Sequence, residues 1–351
     1  MFDIAKVDKN FGIKSRIEKT DIKFYNVDEP PFKIYGIFKE NGKYRRLPES
    51  VAKKVSSGVH VLHTHTTGGR VKFVTDSPYI AIHTKMDGLG KLPHFAMTGA
   101  IGFDMYEGDH FVYTFVPPFD ITDGYENIYE FDEKKEREIT INFPLYSDVL
   151  DLHIGLQEGS VLKRAKPYRN TKPIVYYGSS ITHGGCASRP GMSYQAIVSR
   201  MFDYDYINLG FSGSALAEDE IVEYIKNLDM SVFVLDYDWN APTVEHLEKT
   251  HEKMFKKIRE KHPLLPVIMM SRPKHFLTDE EKARRGIVEN TYLNAVLLGD
   301  KNVYFIDGKA LTELCKDSGT VDGIHPTDFG FYSMAKAVAD VITVINDKNS
   351  K

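Results

Sequence analysis

The stretch YYGSSITH at 176–183 ends a hydrophobic run on a glycine and then offers Ser179, Ser180, Thr182 and His183. Far downstream, VDGIHPTDFG places Asp322 three residues ahead of His325. Between them, NLGFSGSA at 208–215 supplies Gly210 and Gly213, and LDYDWNAP at 235–242 supplies Asp236, Asp238, Trp239 and Asn240. Acyl transfer needs this inventory. A hydroxyl is a weak nucleophile until a base takes its proton, and the base works only when a third group holds its tautomer. On these residues Ser180 attacks, His325 accepts its proton and Asp322 orients His325. The backbone N–H groups of Ser180 and Gly213, with the side-chain amide of Asn240, form the oxyanion hole, at roughly 3–4 kcal/mol per donor.

Residues so far apart meet only if the fold gathers them. From about residue 170 the sequence alternates apolar strand candidates, Ile174–Tyr177, Tyr206–Leu209, Val232–Leu235, Val267–Met270 and Val303–Ile306, with helical periods near 193–202, 218–227, 243–261, 279–298 and 328–345. Such alternation predicts a parallel sheet covered by helices on both faces, a three-layer α/β arrangement whose strand ends share one crevice. Each candidate residue falls at one of those ends.

Up to about residue 165 the pattern differs. Short alternating runs such as Val59 to Leu62, Arg70 to Thr75 and Pro78 to Thr84 are separated by turn signals at 41–43, 67–70, 108–110 and 122–124. No helical period stands out, so an antiparallel, jelly-roll-like β-sandwich is expected. The division predicted is an accessory β-domain at 1–165 and a catalytic domain at 166–351, with the basic segment VLKRAKPYRNTKP at 161–173 as a solvated linker.

At 351 residues, 42% hydrophobic and 27% charged, the chain has the profile of a folded globular protein long enough for two domains. A formal net charge of -4 without a basic block argues against nucleic acid and anionic membranes as partners. The start, MFDIAKVDKNFGIKSRIEKTD, lacks the apolar core of a secretory signal, and no apolar run could span a bilayer, so the chain reads as cytoplasmic. Cys186 and Cys315 are too few for a disulfide framework and are expected as reduced thiols.

The order GSSIT, NLGFSG, a strand ending in WNAP, and DGIHP resembles the SGNH/GDSL hydrolase superfamily over residues 173–345. The resemblance carries the family's serine onto Ser180, its oxyanion glycine onto Gly213 and its closing pair onto Asp322 and His325. It departs at Ser179, where the family has aspartate, and at Asp238-Trp239-Asn240-Ala241, where glycine-x-asparagine-aspartate is usual. IGFDMYEGD at 101–109 resembles the Gly-x-Asp-Leu-Tyr motif of a β-domain that precedes certain GDSL-like esterases, with Met105 in place of leucine. The resemblance implies an α/β SGNH hydrolase behind an all-β domain, ester hydrolysis, and carbohydrate acetyl esterases as models.

Other residues carry competing readings. His60, His63 and His65 invite a metal reading because positions two apart on a strand face the same side, but with no carboxylate or cysteine beside them a polar sheet face is the better reading. His183, Trp239 and Arg272 are candidates for substrate contact; the alternatives are a surface histidine, a core aromatic and a buried ion pair. Asp104 and Tyr106 read as a domain-interface hydrogen bond rather than a pocket rim. Neither Gly-x-Ser-x-Gly nor Ser-x-x-Lys occurs around a candidate nucleophile. The expectation is a cytoplasmic esterase that removes acetyl groups from sugars or oligosaccharides, with no metal and no organic cofactor, and with a homo-oligomer open. An acyltransferase that passes the acyl group to an alcohol is the alternative, and a noncatalytic carbohydrate-binding protein is a third reading.

Overall fold

The computed structural model describes residues 17–349. The stretch read above for a secretory core lies largely in residues 1–16, outside the described residues.

Five strands, Asn170–Gly178, Tyr204–Gly210, Val232–Asp236, Val267–Met270 and Val303–Ile306, form one parallel sheet in the spatial order second, first, third, fourth, fifth. Val175, Tyr176, Phe233, Val234, Leu235 and Ile268 are fully buried, because helices cover both faces. The helices run over Tyr194–Phe202, Asp219–Lys226, Val244–Lys261, Asp279–Leu297 and Asp328–Asn349. Side chains start two of them: Thr243 accepts from the His246 N–H, and Thr278 forms a reciprocal capping box with Glu281. Among the described residues no helix is long and apolar enough to cross a membrane.

The N-terminal half is built on two antiparallel sheets. One pairs Ile22–Asn26, Asp148–Gln157, Tyr79–Asp87 and Gly124–Glu130; the other centres on Arg70–Thr75, Arg137–Asn142, Phe103–Glu107 and His110–Phe115. Asn41 and Gly42, at φ 52° and 76°, form the hairpin turn expected from Asn-Gly.

Two expectations for this half fail. Val59 to Leu62 is not strand: helices occupy Glu49–Val55 and Ser57–Leu62, the second capped by the Ser56 side chain. Their valines look strand-like in sequence, yet Ala52, Val55 and Val59 pack with Leu209, Phe211 and Ile221 of the α/β half. Tertiary packing overrides β-propensity here. His60 therefore lies in a helix and His63 at its C-terminal end, not on a strand. The basic segment is not a free linker either. Leu162–Lys163 pairs with the Arg70–Thr75 strand, and Tyr168 is buried with its hydroxyl accepting from Arg70 Nε at 3.0 Å.

The two halves share one hydrophobic cluster, which runs from Phe73, Phe103 and Phe143 to Tyr176, Ile181 and Tyr194. Two buried arginines cross the same boundary. Arg70 reaches Asp205 and the Tyr206 carbonyl, and lies 3.9 Å over the Tyr206 ring. Arg46, 2% exposed, donates to the carbonyls of Leu62 (2.7 Å), His65 (2.7 Å), Asn208 (3.0 Å) and Gly210 (2.7 Å). Burial pushes its guanidinium down to about 9, so it stays charged at neutral pH. Arg46→Ala would take this donor from four carbonyls at once, those of Asn208 and Gly210 fully buried. We expect urea unfolding to show a loss of about 3–5 kcal/mol, with Arg46→Lys recovering only part because an ammonium cannot reproduce the planar fork.

Candidate active site

The register of the parallel sheet sets the site. Gly178 at the end of the first strand lies opposite Gly210 of the second and Asp236 of the third, so the three following loops begin side by side. Ser180 opens a single helical turn, Ser180–His183, whose N-cap Ser179 accepts from the Ile181 N–H at 3.2 Å. Under this turn lies Asp236, whose carboxyl takes the hydroxyls of Thr182 (2.8 Å) and Tyr194 (3.1 Å) and whose backbone carbonyl takes the Ser179 N–H (3.2 Å). Burial pushes Asp236 up to about 7, against the lowering effect of the two hydroxyls.

The loop ahead of the last helix brings the other two groups. A bridge between Thr320 and Pro326 and a bond from the Val321 N–H to the His325 carbonyl (2.8 Å) hold it as a tight turn. Asp322 Oδ1 accepts the backbone N–H groups of Ile324 (3.0 Å) and His325 (2.8 Å), while Oδ2 accepts His325 Nδ1–H at 2.7 Å. Burial alone would raise this carboxyl. The hydrogen bonds from His325 and Ile324 outweigh it and hold Asp322 down to about 2. A carboxylate only accepts, so Nδ1 carries the proton and Nε2 presents its lone pair to Ser180 Oγ, 2.8 Å away. Gly185 packs close to the relay: a Cβ there would meet the His325 ring at 3.1 Å and the Tyr146 hydroxyl at 3.0 Å, so a side chain would press on both rings.

The predicted oxyanion donors converge on the same edge. Gly213 is exposed in the turn after the second strand, at φ 65°. Asn240 ends the short turn Asp238–Asn240, and its Oδ1 accepts the Ala215 N–H at 3.2 Å, which fixes the amide so that Nδ2 is the free donor.

The three substrate-contact candidates divide. Arg272 is buried and bonds Asp238 through its backbone N–H (3.0 Å), Nε (3.2 Å) and Nη2 (3.0 Å), so it holds the turn that carries Asn240 rather than facing substrate. His183 is fully buried, not a pocket wall: its ring stacks on Tyr146 at 4.0 Å, Nε2 donates to the Leu145 carbonyl (2.9 Å) and Nδ1 accepts from Ser212 (3.3 Å). Trp239 is half-buried beside Asn240, with the Arg272 guanidinium 4.2 Å from its ring. Asp104 and Tyr106 act across the boundary between the halves. Asp104 accepts from Asn142 (2.7 Å), Arg189 (3.2 Å) and the Gly191 N–H (2.8 Å), and Tyr106 accepts from Arg189.

Sequence reasoning missed the part the β-rich half takes in the site. The Tyr146 hydroxyl contacts the Ser180 carbonyl (3.2 Å) and Ser212 Oγ (2.8 Å), and the rings of His94 and Phe95 lie 5.8 and 6.1 Å from that of His325. No local spacing signals contacts of this range. Cys186, beside them, is a buried thiol that burial and then the Asp322 charge push up to about 12, which leaves Ser180 as the nucleophile candidate.

A serine, imidazole and carboxylate in hydrogen-bonded series at the edge of a five-stranded parallel sheet define a serine-hydrolase type of site on an α/β fold. Residues 171–343 match the GDSL-like lipase/acylhydrolase family and residues 22–162 match the GxDLY family, the N-terminus of Esterase_SGNH_hydro-type. The chain belongs to the GDSL-like lipase/acylhydrolase family and carries a GxDLY N-terminal domain. That membership supports an esterase of the hydrolase class. A protein from Bacteroides ovatus named as a GDSL-like lipase is 27% identical, with a TM-score of 0.83 over 93% of this chain and 98% of that one. The salicylyl-acyltransferase SsfX3 of a tetracycline biosynthetic pathway is 19% identical, with a TM-score of 0.75 over 94% and 99%. A family two carbohydrate esterase from Cellvibrio japonicus is 11% identical, with a TM-score of 0.63 over 93% and 98%. The last two show the shared fold. No curated protein sequence matches the chain.

Burial also sets how stability responds to acid. His63 is lowered to about 4, His251 to about 4 and His183 well below its ordinary value, in each case first by burial. The unfolded chain protonates these rings below about 6.5 and the folded chain does not, so stability is full above that value and is lost as pH falls. His63 and His251 each contribute about 1.4 kcal/mol per pH unit between about 6.5 and about 4, and His183 adds in the same direction. We expect denaturant unfolding at pH 7 and pH 5 to show the decline, and His251→Gln to make it shallower.

Proposed function

We propose that this protein is a serine esterase that hydrolyses small acyl esters, acetyl foremost, on sugars or oligosaccharides through an acyl-serine intermediate. One observation carries the reading: Ser180 Oγ, His325 and Asp322 stand in series at 2.8 and 2.7 Å with the histidine tautomer set for proton acceptance. His325 Nε2 takes the Ser180 proton as Oγ attacks the ester carbonyl, and Asp322 stabilises the imidazolium that forms. The N–H groups of Ser180 and Gly213 and the Asn240 amide receive the charge on the carbonyl oxygen. His325 then protonates the departing alcohol, and a water enters by the reverse path. The half-buried Trp239 beside Asn240 offers an aromatic edge to the alcohol part. The carbohydrate esterases that share the fold support a sugar ester as substrate.

The acyltransferase fold-mate supports a second reading, in which an alcohol replaces water at the acyl-serine. Acetate release from a panel of acetylated sugars separates the two: hydrolysis frees acetate, whereas transfer yields a new ester when an alcohol acceptor is added. Ser180→Ala is expected to lose activity by more than about 10³-fold, and Asp322→Asn, which leaves the imidazole in the wrong tautomer, by about 10⁴-fold in kcat. Undiminished turnover by Ser180→Ala would remove this serine from the mechanism.

A further inference from the structure

Beside the serine relay lies a second constellation, which shares His325 with it and adds two groups that catalysis does not use. His94, Cys186 and His325 offer one ligand atom each, and the three atoms lie within 4.8 Å of one another. His94 comes from the β-rich half, Cys186 from the segment after the nucleophile turn and His325 from the last loop.

We propose that this trio is a zinc-type divalent cation site that switches the enzyme off by taking the His325 imidazole. The ligand chemistry is that of zinc: two imidazoles and a thiolate, with a fourth position left to solvent. Zinc bonds of about 2.0–2.3 Å set ligand atoms roughly 3.4–3.8 Å apart. The trio therefore needs to close by about an ångström, and His94, exposed on its loop, is free to turn.

Two further features point to a ligand. The carboxylate already bonded to His325 Nδ1 at 2.7 Å is the outer partner that zinc-binding histidines use, since it fixes the ring and raises the basicity of Nε2. Cys186 Sγ lies 3.6 Å from the His94 carbonyl, which keeps the loop carrying that imidazole next to the thiol. On binding, the Cys186 thiol releases its proton to solvent and Sγ ligates as thiolate; no electron transfer is involved. Coordination of Nε2, the ring nitrogen that the Asp322 bond leaves unprotonated, removes the lone pair that Ser180 needs and stops proton transfer.

The inhibitory consequence rests on the serine-esterase reading, but the binding chemistry does not, so the test begins without turnover. Full-length Ser180→Ala protein is titrated with Co²⁺. We expect tetrahedral visible bands and a thiolate-to-cobalt charge-transfer band, both displaced by Zn²⁺. A second substitution, Cys186→Ser, should abolish the charge-transfer band, and His94→Ala should weaken Co²⁺ binding more than 10-fold, with far-UV circular dichroism checking that each variant is folded. A titration without a thiolate band, or one unchanged in both folded variants, overturns the proposal even if esterase activity is real. With the unsubstituted protein, micromolar Zn²⁺ should inhibit ester cleavage, a chelator should restore it, and His94→Ala should shift the inhibition more than 10-fold. Equal inhibition of the parent and His94→Ala also overturns the site.

Discussion

Arg46 lies fully buried with its guanidinium turned onto backbone carbonyls from Leu62, His65, Asn208 and Gly210, and no carboxylate of the described residues pairs with it. Such a charge persists only where its donors are satisfied by fixed dipoles, because desolvation without compensation would cost far more than the fold can spare. Satisfying them requires the helix end at Leu62, the turn at His65 and the end of the second parallel strand to stand at fixed separations. Gly210 is also the residue from which the loop to Gly213 departs. The β-rich half thereby locates one wall of the site without contributing a reacting group.

The same division of labour recurs around the relay. Asp104 and Tyr106 hold Arg189 and Gly191, the segment that follows the nucleophile turn, and Tyr146 bonds the carbonyl of Ser180 itself. A hydrophobic cluster continuous from the antiparallel sheets to Tyr176 and Tyr194 means that neither half can shift without opening apolar surface shared by both. On the far side, Asp238 bonded to Arg272, with Arg284 donating to the Asp238 and Ala241 carbonyls, fixes the turn that presents Asn240. Preorganisation of the site is thus spread over charges that never meet the ester.

What the amino-acid sequence disclosed follows the range of the interactions. The five parallel strands and their helices were legible because each is written in a local period, and the loops after Gly178, Gly210 and Asp236 could be grouped because parallel register places such ends together. The helices at 49–62 were not, since their valines match a strand pattern and only packing against the α/β half selects helix. His183 and Arg272 lie near the site in sequence, yet one is stacked on a tyrosine from the other half and the other is bound to Asp238. Both outcomes depend on partners 34 or more positions away, as does the approach of Phe95 to His325.

A relay of this kind carries a cost built into its chemistry. To accept the proton of Ser180, His325 needs a fixed tautomer, a basic Nε2 and access to a small opening, and Asp322 supplies the first two through one short hydrogen bond. Those are also the qualities of a metal ligand. An isolated catalytic histidine binds a cation weakly because one imidazole gives little; adding a thiol and a second imidazole makes the binding multidentate. Here both additions come from segments that the fold brings to the relay for other reasons, Cys186 from the turn after Ser180 and His94 from the loop whose Phe95 packs against Tyr146. Exposure of His94 and burial of Cys186 then make the cation's access depend on the β-rich half, so the element that braces the site is also the one able to close it.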